Sequence, residues 1–198
     1  MAWTMQVTFL CLVLKLNLAE ADFKDAVDYI YNNSQAVRLL FLRKMTFYVV
    51  GGTFEEDPVF PLDPTGIPFK CAEVHTEKKS DDKFSLERRI WTHRLPNNWL
   101  NSTYDIVPKT SSGYGAPNYM DIYRIYGNRT QAGTMYLLLS DVNSCALLYH
   151  EKSSHCELWE TQRPGKDGLP SSFCSSYIHA CNNNTVIWYY NDTVCHRK

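Results

Sequence analysis

From residue 36 to residue 190 the chain alternates short β-prone runs with turn-rich separators, and this cadence narrows its fold more than any other feature. The run 37–50 is rich in Leu, Phe and Val and is broken by Gly51-Gly52. Further runs occupy 69–76, 84–93, 104–109, 119–126, 134–140, 145–150 and 155–161, with a last one at 186–190. The separators are polar or Gly/Ser/Asn-rich at 77–83, 110–116, 127–133 and 141–144, and Pro/Gly-rich at 162–170. Residues 53–68 carry four prolines and several acidic side chains and read as a loop. About eight short strands joined by tight turns predict an all-β domain, either an antiparallel sandwich or an up-and-down barrel. A helix is expected over 22–33, where Phe23, Ala26, Val27, Ile30 and Tyr31 recur at helical spacing. A second short helical segment is expected within 171–181. No βαβ alternation is visible, which argues against a parallel-sheet enzyme.

The ends of the chain bear on its compartment. Residues 1–21 hold an apolar stretch, Val7 to Leu14, followed by Ala19-Glu20-Ala21. That is the pattern of a secretory signal peptide cleaved after Ala21. The stretch is shorter than the roughly 20 residues that span a bilayer, and no later segment is apolar enough to insert. Residues 22–198 then form one domain of near-balanced charge: the whole chain is at -1, and losing Lys15 with Glu20 leaves that unchanged. Nothing in this balance calls for nucleic acid or an anionic membrane surface. A secreted monomer without cofactor is expected.

Cleavage removes Cys11 and leaves Cys71, Cys145, Cys156, Cys174, Cys181 and Cys195, an even set that suggests disulfides in an oxidising compartment. Spacing alone does not choose their pairing. A zinc site is disfavoured, because no C-x-x-C pair is present and the histidines are scattered. N-x-S/T sequons at Asn32, Asn101, Asn128, Asn183 and Asn191 are candidate glycosylation sites. No G-x-S-x-G, H-E-x-x-H or phosphate-cradling loop occurs, and oxidised cysteines cannot act as thiolate nucleophiles, so a non-enzymatic protein is expected.

The segment Cys145-Ala146-Leu147, then Glu157-Leu158-Trp159, then Cys174 resembles the signature of tick salivary lipocalins, the tick histamine-binding proteins. The mid-chain Cys71 and the cysteine-rich tail ending near Cys195 are similar to that family as well. The resemblance implies an eight-stranded antiparallel up-and-down barrel with an N-terminal short helix and a C-terminal helical segment. It implies Cys71–Cys195 and Cys145–Cys174 bridges, which leave Cys156 and Cys181 for a third. It also implies a salivary protein that holds a small molecule, such as a biogenic amine, leukotriene, fatty acid or sterol, away from host receptors. Action on host immune cells through the glycosylated surface is an alternative known in the family.

A cationic amine in a low-dielectric cavity needs a carboxylate, and aromatic rings then hold it by their faces. In amine-binding relatives, an acidic residue follows the first motif cysteine; here Ala146 stands there, while Glu157 is retained. Ala146, Leu148 and His150 share one strand face. If that face lines the barrel, the wall there is small and apolar at one end, which favours a sterol, fatty acid or eicosanoid over histamine. Glu157 could instead be structural, bonded to a neighbouring arginine or a backbone donor. Asp121, flanked on its own face by Tyr119 and Tyr123, could form an amine cage or simply face solvent. Glu73 and Glu87 read as surface charges, Trp91, Trp99 and Trp159 as pocket wall or core, and His150 with His155 as solvated turn residues.

Overall fold

A computed structural model describes residues 35–59, 69–91, 99–164, 170, 172–181, 185–190 and 195. The expected signal peptide, the helix over 22–33 and the sequons at Asn32, Asn183 and Asn191 lie outside these residues. Eight antiparallel strands follow one another: β1 Met45–Gly52, β2 Ala72–Ser80, β3 Lys83–Trp91, β4 Trp99–Lys109, β5 Tyr119–Arg124, β6 Gln131–Asp141, β7 Cys145–His150 and β8 His155–Glu160. Each pairs with the next, and β1 pairs with both β2 and β8, which closes the sheet into an up-and-down barrel. A two-residue strand, β9 Ile187–Trp188, adds to the far end of β1.

Strand alternation sets the interior. Along β3 the inward positions Phe84, Leu86, Arg88 and Ile90 are buried, Ser85, Glu87 and Arg89 between them are more exposed, and Trp91 ends the strand buried. Val74, Leu86, Ile106, Met120, Ile122, Met135, Leu137, Ala146, Leu148 and Trp159 belong to one continuous inner cluster. β7 and β8 are buried on both faces. Their outer side chains, including Cys145, Leu147, Cys156 and Leu158, pack beneath two 3₁₀ turns, Phe173–Ser176 and Ile178–Ala180. That double burial is why Cys145–His150 reads as an unbroken apolar run. Disulfides Cys145–Cys174 and Cys156–Cys181 fasten these turns to the barrel wall, and Cys71–Cys195 ties the C-terminus to the start of β2.

Around β1 the chain differs from its sequence reading in two ways. Residues 37–50 are not one strand: Val37–Phe41 forms a 3₁₀ turn ahead of β1. Its apolar side chains serve as a plug rather than a sheet. Leu40 and Phe41 are fully buried, Phe41 meets Phe84 edge-on at 5.8 Å, and Val37 N donates to Pro117 O at 2.8 Å. This closes one end of the barrel. Gly51-Gly52 does not break β1 but ends it within the sheet. A Cβ at Gly51 would lie 2.6 Å from the Trp188 ring, and one at Gly52 would lie 2.9 Å from Cys156 O. Only a bare backbone lets β9 and β8 approach so closely.

Candidate functional site

The end of the barrel opposite the Val37–Phe41 plug is where β1, β3, β5 and β7 finish. One inward position there carries a charge where alternation calls for an apolar residue. Arg88 lies in the row Phe84, Leu86, Ile90 and is 1 % exposed. A buried guanidinium is tolerable only with counter-charges and hydrogen bonds. Two carboxylates supply them. Glu157, inward on β8, accepts from Arg88 Nη1 at 2.6 Å and from Nη2 at 3.1 Å. Asp57, in the segment after β1, accepts from Arg88 Nε through Oδ2. Its other oxygen accepts from Val59 N at 2.8 Å. The Phe69 ring lies 5.5 Å from the guanidinium carbon and gives it an aromatic face.

Glu157 is also bound by Trp159 Nε1 on Oε1 and by His150 Nε2, 2.8 Å from Oε2. An ionised carboxylate only accepts, so His150 Nε2 carries the hydrogen of that contact. Four donors therefore converge on Glu157, two on each oxygen, and match the roughly four lone-pair sites a carboxylate offers. Burial works against its charge, but Arg88 and His150 outweigh burial and hold its pKa down to about 2. Among these same partners burial opposes the charge on Arg88, yet Asp57 and Glu157 push its pKa up.

The segment Thr53–Val59 covers this cluster. Thr53 N donates to Cys156 O at 3.0 Å, and Cys156 N donates to Thr53 Oγ1 at 2.9 Å. Tyr189 OH donates to Phe54 O at 2.6 Å, and Tyr104 OH to Val59 O at 3.3 Å. Phe54 and Val59 are buried within the inner cluster, and Phe54 meets His150 edge-on at 5.9 Å. Glu55 and Glu56, between these anchors, are exposed.

The motif residues converge in the barrel interior. Ala146 pairs with Trp159 and Leu148 with Glu157, all inside the barrel, and Trp159 packs on Phe47 at 5.5 Å. Asp121, Tyr119 and Tyr123 are placed elsewhere. Met120 and Ile122 take the inward positions of β5, so this trio lies on the outer face. There Asp121 accepts from Thr134 Oγ1 at 2.9 Å and Gln131 Nε2 at 3.1 Å, Tyr119 stacks on Tyr136, and Tyr123 packs under Arg129. His150 is not a solvated turn residue. β7 runs through it, and pairing with His155 directs it inward, where it is 3 % exposed. Trp91 and Trp99 pack against the Cys71–Cys195 bridge, and Glu73 lies outward, paired with Arg89 at 3.3 Å. Asn101 and Asn128 are exposed. Arg88 and Asp57 were missed from sequence. The arginine in an otherwise apolar alternating row was the available signal; Asp57, one of several acids in a loop, offered none.

A closed eight-stranded antiparallel up-and-down barrel, plugged at one end and strapped at the other, is the lipocalin fold. The chain belongs to the tick histamine binding protein family, whose model matches residues 25–196. Among solved structures it is similar to insecticyanin from the tobacco hornworm Manduca sexta. That match has 11% identity and a TM-score of 0.56, covering 82% of this chain and 85% of that one. Apocrustacyanin C2 matches at 12% identity and a TM-score of 0.52, over 87% of this chain and 88% of the other. Both likenesses show the fold alone. The serotonin complex of AM182 matches at 13% identity and a TM-score of 0.49, over 76% and 85% of the two chains. That likeness is too weak to bear on the ligand. No curated protein matches at the sequence level.

Proposed function

We propose that the protein is a secreted salivary lipocalin that carries an apolar or amphipathic small molecule, such as a sterol, fatty acid or eicosanoid, in its barrel. By withholding that ligand it suppresses host inflammatory or immune responses. The observation that carries the ligand class is the state of Glu157. It is the one acid of the family motif retained here, and all its acceptor sites are engaged by Arg88, His150 and Trp159. A ligand ammonium would have to displace one of these donors and leave it buried without a partner, at a cost of about 1–3 kcal/mol or more. Ala146 supplies no second carboxylate, and Asp121 lies on the outer face. Apart from this charge cluster the inner wall is apolar, with Ala146, Leu148, Leu86 and Ile122 in one continuous cluster. Secretion is supported by the three disulfides, which fit an oxidising compartment, and by the N-terminal sequence.

Intrinsic fluorescence tests this, because Trp159 lies in the barrel interior beside the cluster. Titration with cholesterol, oleic acid and histamine should give saturable quenching or enhancement with at least one of the lipids and none with histamine. Saturation by histamine alone would overturn the proposed ligand class.

A further inference from the structure

The two carboxylates on Arg88 differ in what holds them. Glu157 is part of β8, paired with Leu148, and cannot leave without opening the barrel wall. Asp57 belongs to no strand; it hangs on the segment Thr53–Val59, which reaches Arg88 from the end opposite the Val37–Phe41 plug. The guanidinium is divided between them. Its Nη1/Nη2 edge is taken by Glu157, and its Nε is taken by Asp57. Phe54 and Val59 of the same segment fill the interior beside Tyr189, Phe69 and Tyr104. A molecule entering from this end therefore has to lift the segment, and with it Asp57.

We propose that Asp57 is a built-in stand-in for the ligand's head group: the ligand is a long-chain monocarboxylate whose carboxylate takes over the Nε side of Arg88 as the segment Thr53–Val59 swings out. This rests on the apolar or amphipathic reading above and narrows it. The argument is one of charge conservation. Lifting Asp57 strips a buried guanidinium of one of its two counter-charges, which is costly in a low-dielectric interior. A carboxylate replaces it in kind, with the same net charge and a planar group suited to the side-on fork of arginine. A sterol or fatty alcohol replaces the volume but not the charge, and an ammonium adds repulsion to Arg88. Behind Arg88 the inner row continues through Leu86 and Phe84, with Ile122 and Leu148 in the same cluster, so an alkyl chain would run along apolar wall. The exchange also makes entry and release a competition between two carboxylates, one tethered and one free.

The test compares oleate with oleyl alcohol, which differ only in the head group, on the full disulfide-bonded protein. Calorimetric titration should show oleate binding about tenfold tighter or more than oleyl alcohol, the scale of one charge-assisted hydrogen bond. Saturating oleate should speed cleavage after Glu55 and Glu56 by a glutamate-specific protease, since both are exposed and ride on the displaced segment. The variant Asp57→Asn, which weakens the tethered competitor, should bind oleate more tightly than wild type and be cut faster without ligand. If that variant does not fold, the wild-type comparison decides alone. Equal affinity for oleate and oleyl alcohol, or cleavage unchanged by saturating oleate, would overturn the exchange. Binding of cholesterol but neither oleyl compound would overturn it and leave the carrier reading standing. Binding of histamine alone would overturn both.

Discussion

Replacing Glu157 by glutamine removes one charge and changes the shape of the side chain hardly at all. In wild type each carboxylate oxygen receives two donors: Arg88 Nη1 and Trp159 Nε1 on one, Arg88 Nη2 and His150 Nε2 on the other. An amide presents one acceptor and one NH2 group. If the NH2 faces the first pair, it opposes the Arg88 and Trp159 donors. If it faces the second, a change of His150 tautomer relieves one clash, but Arg88 Nη2 still meets a donor. No flip satisfies the site. Removing one partner of a buried ion pair costs about 3–5 kcal/mol. Asp57 still neutralises Arg88 in the variant, so the lower part of that range applies. Taking about 3–4 kcal/mol, that lowers the melting temperature of a chain of this size by roughly 6–16 °C, at about 2–4 °C per kcal/mol. Urea unfolding of the oxidised protein, with wild type and Glu157→Gln compared at neutral pH, measures it directly. A loss below about 1 kcal/mol, the range of an exposed pair, would refute the claim that Glu157 is a fully engaged structural charge.

Further consequences follow from the same contacts. Because the folded-state pKa of Glu157 is held down to about 2, below the ordinary carboxylate value, its contribution is fully present above about pH 4.5 and is lost as pH falls toward 2. The urea-midpoint gap between wild type and Glu157→Gln should therefore narrow over that window; a constant gap would refute the assignment. Gly52→Ala should destabilise by about 1–3 kcal/mol, since its Cβ would sit 2.5 Å from Tyr189 OH and 2.9 Å from Cys156 O. Unchanged denaturation would show that β8 and Tyr189 give way freely. Removing the Cys71–Cys195 bridge with a double Ala substitution opens a loop of sequence separation 124. Chain-entropy reasoning, whose mechanism is model-dependent, puts the loss at about 5 kcal/mol. Denaturation of the double variant measures it. Peptide mapping of the secreted protein should find N-glycan on Asn101 and Asn128, which are both exposed.

Much of the barrel was legible because its strands alternate. Cys145–His150 coincides with its apolar run; β2, β4 and β6 extend their predicted runs into flanking polar sequence, as β2 does through Lys79 and Ser80, while β5, β8 and β9 stop short of theirs. Those extensions are held by backbone pairing, to which side-chain pattern is blind. Val37–Phe41 misled because an apolar run that plugs a barrel end has the same composition as a strand. Gly51-Gly52 misled because glycine at a close approach of two elements looks like glycine at a break. Of the site, Glu157, Trp159, Ala146 and Leu148 were recognisable from the motif and from alternation. The charge cluster was not, because Asp57, Arg88 and Glu157 are 31 and 69 residues apart in sequence and meet only through barrel closure. His150 was read in two ways, on the Ala146–Leu148 face and as a solvated turn residue; its pairing with His155 keeps it in β7 and decides for the first.

Native mass spectrometry of the secreted, deglycosylated protein, before and after histamine is added, tests the central claim most directly. The account predicts a co-purified lipid, or uptake of an added one, that histamine neither displaces nor joins. An empty protein that takes up histamine stoichiometrically would contradict it, and would mean that the donors on Glu157 yield to an ammonium.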